Sequence, residues 1–138
     1  MRYIGLDLGT KTLGIAISDS LGLIASFYKT IEFKEEDYDS LIEPLKEIID
    51  EKKIESIILG FPKNMNNSIG FAGERSLNFK KILESNFDLP VILEDERLSS
   101  VEANNMMIAS DLSRKKRKKK VDALAATIIL QRYLDRRK

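Results

Sequence analysis

The chain has 138 residues, the size of one ordinary domain, and its 43% apolar content is enough to bury a core. It has no cysteine and no histidine, which excludes disulfides, thiolate metal sites, imidazole bases and His-ligated zinc; any catalysis must fall to carboxylates, lysines and hydroxyls. The net charge is +1, yet seven cations lie together in residues 114–120, so the remainder carries −6 and a mildly acidic body bears one basic strip.

"MRYIGLDLG" alternates, with Ile4, Leu6 and Leu8 on one side and Tyr3, Gly5, Asp7 and Gly9 on the other, the period of a strand. "TKT" is a short turn, and "LGIAISD" alternates again, so the two strands form a hairpin. A third, less regular strand is expected within residues 24–33. Apolar residues at Leu41, Ile42, Leu45, Ile48 and Ile49 give residues 38–52 the spacing of an amphipathic helix, in which Pro44 marks a late start or a kink.

"SIILGF" is a short apolar run of the kind found in a strand buried on both faces. Pro62 ends it, and "PKNMNNSIG" is a polar loop. A helix over residues 73–87 and a strand in "PVILED" follow. Ser99 with Glu102 forms a capping box that opens a helix to about Ala109, and a last helix runs from about Val121 to Arg136. Three strands followed by helix, strand, helix, strand, helix, helix favour an α/β sheet covered by helices, in a single domain over residues 1–138. With no apolar run of about 18 residues and no signal-peptide pattern, the expectation is a cytoplasmic protein with no membrane partner.

Three groups of carboxylates stand out. Asp7 lies mid-strand between Gly5 and Gly9, and glycines that weaken a strand imply room for a ligand or a close backbone approach. The bland alternative is a strand-end aspartate bonded to a turn. Asp122, at about 100° per residue, shares its helix face with Ala126, Ile129 and Tyr133, with Gln131 opposite, so it turns inward. The competing role, an acid answering the dipole of a helix first turn, explains its nearness to an end but not its inward face. "ILEDERLSS" sets Glu94 and Glu96 on one face and Asp95 on the other if the strand persists. Converging carboxylates repel unless a cation lies between them, and all-oxygen donors suit Mg²⁺ or Mn²⁺.

"GLDLGTKTLGIAISD", "LGFPKNMN", "DERLSS" and "KKKVDALAATIILQRYL", in this order, resemble the YqgF family of pre-16S rRNA nucleases or Holliday-junction-resolvase-like proteins. The resemblance covers nearly the whole chain. It implies an RNase H-like (RuvC-like) fold with a mixed five-stranded sheet, the first three strands antiparallel, flanked by helices. It also implies phosphodiester hydrolysis dependent on Mg²⁺ or Mn²⁺, with two ions expected, at an acidic triad of Asp7, Glu96 and Asp122, with Asp95 a second candidate beside Glu96. Arg97 in the same motif is a candidate to anchor a phosphate or to pair with one of the acids.

A nucleic-acid partner gives the basic strip a purpose. Arg114, Lys115, Lys116, Arg117, Lys118, Lys119 and Lys120 are expected to neutralise phosphates beside Asp122, against the bland alternative of a solvated loop. Lys11, Lys63 and Asn64 are candidates for other parts of that groove. Pre-rRNA and branched DNA both remain as substrates, and a monomer or weak homodimer is expected. Three other readings compete. A nucleotide-binding protein of the actin or Hsp70 class would share "GLDLGTK", but 138 residues are too few for two lobes. A non-catalytic nucleic-acid-binding module and a ribosome-associated assembly factor both keep the fold without the cleavage.

Overall fold

A computed structural model describes residues 2–61, 71–95 and 114–136, with positions 71, 72, 95 and 114–123 described by backbone alone. Strand β1 (Tyr3–Leu8) turns through Gly9–Lys11 into β2 (Thr12–Ser18), and β3 (Ala25–Glu32) follows. The turn is closed by Gly9 N–H donating to the Thr12 carbonyl at 2.8 Å. It is tight enough that a Cβ on Gly9 would stand 3.3 Å from two Thr12 oxygens, which explains the glycine. All three of these strands pair antiparallel, and a bulge between Ile15 and Ala16 leaves Tyr28 as the extra residue of β3.

A 3₁₀ turn (Tyr38–Leu41) leads into helix α1 (Ile42–Lys52). Pro44 therefore sits third in the α-helix, where a backbone N–H has no intrahelical acceptor, so the proline marks a late start and not a kink. Strand β4 (Ser56–Phe61), α2 (Phe71–Asn86), β5 (Val91–Asp95) and α3 (Arg114–Arg136) complete the described elements. The sheet order is β3-β2-β1-β4-β5, with β4 and β5 parallel to β1. This is the mixed five-stranded sheet, antiparallel through its first three strands, that the motifs imply.

Alternation divides the core in two. Ile4, Leu6, Leu8, Ile57, Leu59 and Val91 face α1 and α2, where they meet Leu45, Ile48, Phe79 and Leu83. Each such side chain contributes about 1.5–3 kcal/mol on burial. Tyr3, Ala16 and Ile58 face the other way, onto Ala126, Ile129, Leu130 and Leu134 of α3. Every residue of β4 is buried, as its unbroken apolar run requires.

The start of α3 differs from expectation. The helix begins at Arg114 and not near Val121, so the basic strip forms its first two turns. Lys and Arg are good helix formers and the run holds no Gly or Pro, but it has no apolar period, which hid the helix from a pattern-based reading. The loop 62–70 and the helix expected from Ser99 lie outside the described residues. Among the described residues no helix is long and apolar enough to cross a membrane.

Candidate functional site

The parallel strands β1, β4 and β5 end at one edge of the sheet, and ligands of open α/β sheets bind outside such carboxyl ends. Asp7 stands one residue before the end of β1, half-buried, on the face turned to α3. Its cross-strand partner on β2 is Gly14, so glycine adjoins it there as well as at positions 5 and 9 of its own strand. The hairpin that follows carries Lys11, exposed, at the same edge, with the Lys11 carbonyl accepting from Phe33 N–H at 2.9 Å.

Gly5 has a definite structural cause. A Cβ built there would lie 2.7 Å from Leu130 Cβ and 3.1 Å from the Ala126 carbonyl oxygen. The glycine lets the α3 backbone rest directly on β1, which selects close approach over ligand space at this position.

Helix α3 runs antiparallel to β1, and two contacts set its register. Tyr3 packs on Tyr133 with ring centroids 5.6 Å apart, and Gly5 meets Ala126 and Leu130. A further step of two residues along β1, about 6.6 Å, arrives at Asp7. The same distance along the helix, at 1.5 Å per residue, is about four to five residues and arrives at the turn holding positions 122–126. Position 122 also lies four residues before Ala126 and seven before Ile129, both fully buried against the sheet, so it falls on the sheet-facing line of the helix. It is the ninth residue of α3, and the first turn holds no acid, so Asp122 is not a first-turn dipole cap.

At the far end of α3 a latch secures the helix. Arg136 Nη1 donates to Glu94 Oε1 at 2.9 Å, and Arg136 Nη2 lies 2.5 Å from Glu94 Oε2. Glu94 is 4% exposed, and the Arg136 guanidinium also lies over Tyr133, which packs on Tyr3. The first acid of "EDE" is thus committed to an arginine and ties β5 to α3. Gln131, placed opposite Asp122 by helical angle, ties in the edge strand: its Oε1 accepts from Ala25 N–H at 2.8 Å and its Nε2 donates to the Leu23 carbonyl at 3.1 Å. Sequence reasoning assigned no role to Glu94–Arg136 or to Gln131, whose partners are distant in the chain; a lone Gln in an apolar helix was the one available signal.

Asp95 closes β5 at the same edge as Asp7, one residue ahead of Glu96. Glu96, Lys63, Asn64 and Arg97 lie outside the described residues, and Arg114, Lys115, Lys116, Arg117, Lys118, Lys119, Lys120 and Asp122 are described by backbone only. The described residues alone contain no group of three acids able to hold a metal ion.

The family model described as "RuvX: Holliday junction resolvase" matches residues 1–136. A protein of Geobacillus sp. (strain WCH70) named "Putative pre-16S rRNA nuclease" is 55% identical over 98% of both chains. One of the same name from Bacillus subtilis (strain 168) is 51% identical, again over 98% of each. Among solved structures, Thermus thermophilus RuvC in complex with a Holliday junction substrate matches with a TM-score of 0.61 at 16% identity, over 99% of this chain and 95% of that one. Fowlpox virus resolvase in complex with Holliday junction DNA matches with a TM-score of 0.59 at 15% identity, over 99% and 98%. At these identities the two structures establish a shared resolvase-type, RNase H-like fold.

Proposed function

This chain belongs to the RuvX family, and we propose from that membership that it is a metal-dependent endonuclease that trims the 5′ end of pre-16S rRNA. The two relatives named above, 55% and 51% identical, carry the name "Putative pre-16S rRNA nuclease" and match over 98% of their own length, which supports RNA processing ahead of other nuclease roles. Such a substrate implies the cytoplasm. Cleavage of branched DNA is the second reading, favoured by the family description and by the fold shared with junction resolvases.

One observation carries the catalytic assignment: the antiparallel crossing of α3 over β1, anchored at Tyr3–Tyr133 and Gly5–Leu130, at the sheet edge where Asp7 sits. In this reading Asp7, Glu96 and Asp122, with Asp95 as the alternative to Glu96, hold Mg²⁺ or Mn²⁺. The donor chemistry fits: the acids available are oxygen donors, no His or Cys competes for a softer metal, and Glu94 is withdrawn from the set by Arg136. Two such ions, when bound, activate a water and stabilise the leaving oxygen of a phosphodiester.

The chain's own residues do the remaining work. In this proposal Lys11, Lys63 and Asn64 contact sugar and phosphate oxygens, Arg97 anchors a phosphate or pairs with one of the acids, and Arg114–Lys120 supply affinity that does not depend on sequence. The test is a cleavage assay on precursor rRNA and on four-way DNA junctions, run with Mg²⁺ or Mn²⁺ beside an Asp7→Asn control. The expected result is specific 5′ cleavage of the RNA that the control lacks while it folds normally and keeps most of its nucleic-acid affinity. Unchanged cleavage by rigorously purified Asp7→Asn protein would sink the assignment.

A further inference from the structure

At the pole opposite the proposed catalytic edge, the turn between β2 and β3 and the start of β3 gather all the exposed large apolar residues found among the described residues: Leu21 (70% exposed), Leu23 (43%) and Ile24 (63%) in the turn and Phe27 (53%) in the strand. Scattered apolar residues on a surface need no explanation, but a set confined to seven consecutive positions forms a patch. It adjoins the outer side of β3, the end strand of the sheet, which has no neighbouring strand there among the described residues.

A groove of about 350 Å³ opens beside it, lined by Arg2, Ile17, Asp19, Ile24, Tyr28 and Lys52 among others. Its lining combines the apolar Ile17, Ile24, Phe27 and Tyr28 with the cations Arg2 and Lys52, and Lys29 adds a third cation near the Tyr28 ring. Lys52 Nζ lies 5.5 Å from the Tyr28 ring centroid and Lys29 Nζ 6.0 Å from it, while Arg2 donates one hydrogen bond, Nη1 to the Lys52 carbonyl at 3.3 Å. None of these three cations is paired with a carboxylate among the described residues. The groove's one acid is already engaged: Asp19 Oδ1 accepts from Leu23 N–H at 2.7 Å and Ile24 N–H at 3.0 Å.

We propose that this edge is a docking site for an extended peptide segment of a protein partner, which adds as a strand beside β3 and carries an apolar residue followed two positions later by an acid. Strand addition draws affinity from main-chain hydrogen bonds and specificity from pockets for alternate side chains. Residues two apart share a face, so one side chain enters the apolar groove while the next acid on that face meets Lys52 and Arg2.

A second copy of this chain fits poorly. Antiparallel pairing of two β3 edges centred on Tyr28 would bring the cations of both copies together, and the bulge and Lys29 are devices that blunt an edge against self-pairing. RNA fits less well than a peptide, because three of the four exposed apolar residues are aliphatic and offer no ring for a base to stack on.

The test uses the full chain and a fluorescein-labelled peptide, acetyl-Thr-Ile-Thr-Glu-Thr-Val-Thr-Asp-Thr amide, in which each apolar residue is followed two positions later by an acid. Binding is monitored by anisotropy and by shifts of ¹⁵N-labelled amides. Binding is expected with shifts concentrated at residues 19–30. A peptide with Lys in place of both acids, and one N-methylated at its apolar and acidic residues, should each bind at least about tenfold more weakly. Lys52→Glu and Phe27→Asp should each weaken the acidic peptide by about tenfold with the circular dichroism spectrum and nuclease activity unchanged. Equal binding of acidic and basic peptides, or shifts centred elsewhere, would overturn the proposal. So would tight binding of the N-methylated peptide, or a single-stranded RNA that perturbs the same amides more strongly than the peptide does.

Discussion

Gly5 of β1 and Leu130 of α3 meet so closely that a single added carbon on Gly5 would stand 2.7 Å from Leu130 Cβ. Neither partner can yield cheaply, since the neighbouring obstacle is the Ala126 carbonyl of the helix backbone and Leu130 is fully buried. Gly5→Ala should therefore push α3 away from β1 and cost about 1–3 kcal/mol, the usual range for overpacking. Urea melts will show the loss. Because the same helix carries Asp122, metal-dependent cleavage should fall by more than the folded fraction accounts for; full activity in the folded Gly5→Ala protein would show that the register of α3 on β1 does not matter to the chemistry.

Arg136 and Glu94 form an unequal pair, the guanidinium 61% exposed and the carboxylate 5%. Solvent screens the arginine, so the pair itself is worth little, about 1 kcal/mol. Removing the arginine alone strands a buried charge, so Arg136→Ala should cost more than that, about 1–3 kcal/mol. The double variant Arg136→Ala/Glu94→Leu should recover much of the loss, because an apolar residue needs no partner. Thermal denaturation of the two variants checks the order: a double variant less stable than Arg136→Ala would mean that Glu94 has a further favourable contact.

Asp19 supports the turn that precedes β3. The N–H groups of Ile24, then of Leu23, hold its carboxyl below the usual 3.8, because hydrogen bonds to the charged form favour it. A folded pKa depressed in this way contributes stability that is present above the unfolded value and is lost as pH falls through the folded value. Asp19→Ala should therefore be less stable than the parent at neutral pH, and the gap should close only below about pH 4. Equilibrium unfolding from pH 7 to pH 2.5 measures it. A gap that stays constant to pH 2.5 would assign the loss to packing and not to the carboxylate.

Strands β1 and β2 were legible because they alternate locally: Ile4, Leu6 and Leu8 against Tyr3, Gly5 and Asp7 needs no information from the rest of the chain. β4 was legible from a different local signal, an unbroken apolar run bounded by Pro62. Pro44 left two outcomes open, because a proline is tolerated in the first turn of a helix and bends its interior, and only the position of the first turn decides between them. The basic run concealed two helical turns, since charges carry no apolar period. The purpose of Gly5 and the commitment of Glu94 to Arg136 depend on which elements stack, which no local pattern encodes. Of the candidate site, the face of Asp7 and the sheet-facing line of position 122 followed from periodicity; the antiparallel register that relates them is tertiary.

The helical form of Arg114–Lys120 changes what its charges can do. In two helical turns, the sequence sets seven like charges at i,i+3 and i,i+4 spacing, where like charges repel one another by a few tenths of a kcal/mol per pair. A polyanion relieves that repulsion, so nucleic-acid binding and the helicity of this segment should be coupled. Replacing Lys116, Arg117, Lys119 and Lys120 with Gln should raise its helicity in the free protein, seen as slower amide exchange, yet weaken nucleic-acid binding. The slope of log K against log[salt] should become shallower by about 0.7 for each single-strand phosphate that is no longer neutralised, or about 0.9 on duplex DNA. Binding isotherms between 50 and 200 mM salt read this directly. An unchanged affinity and salt slope would remove the first two turns of α3 from the phosphate-binding surface.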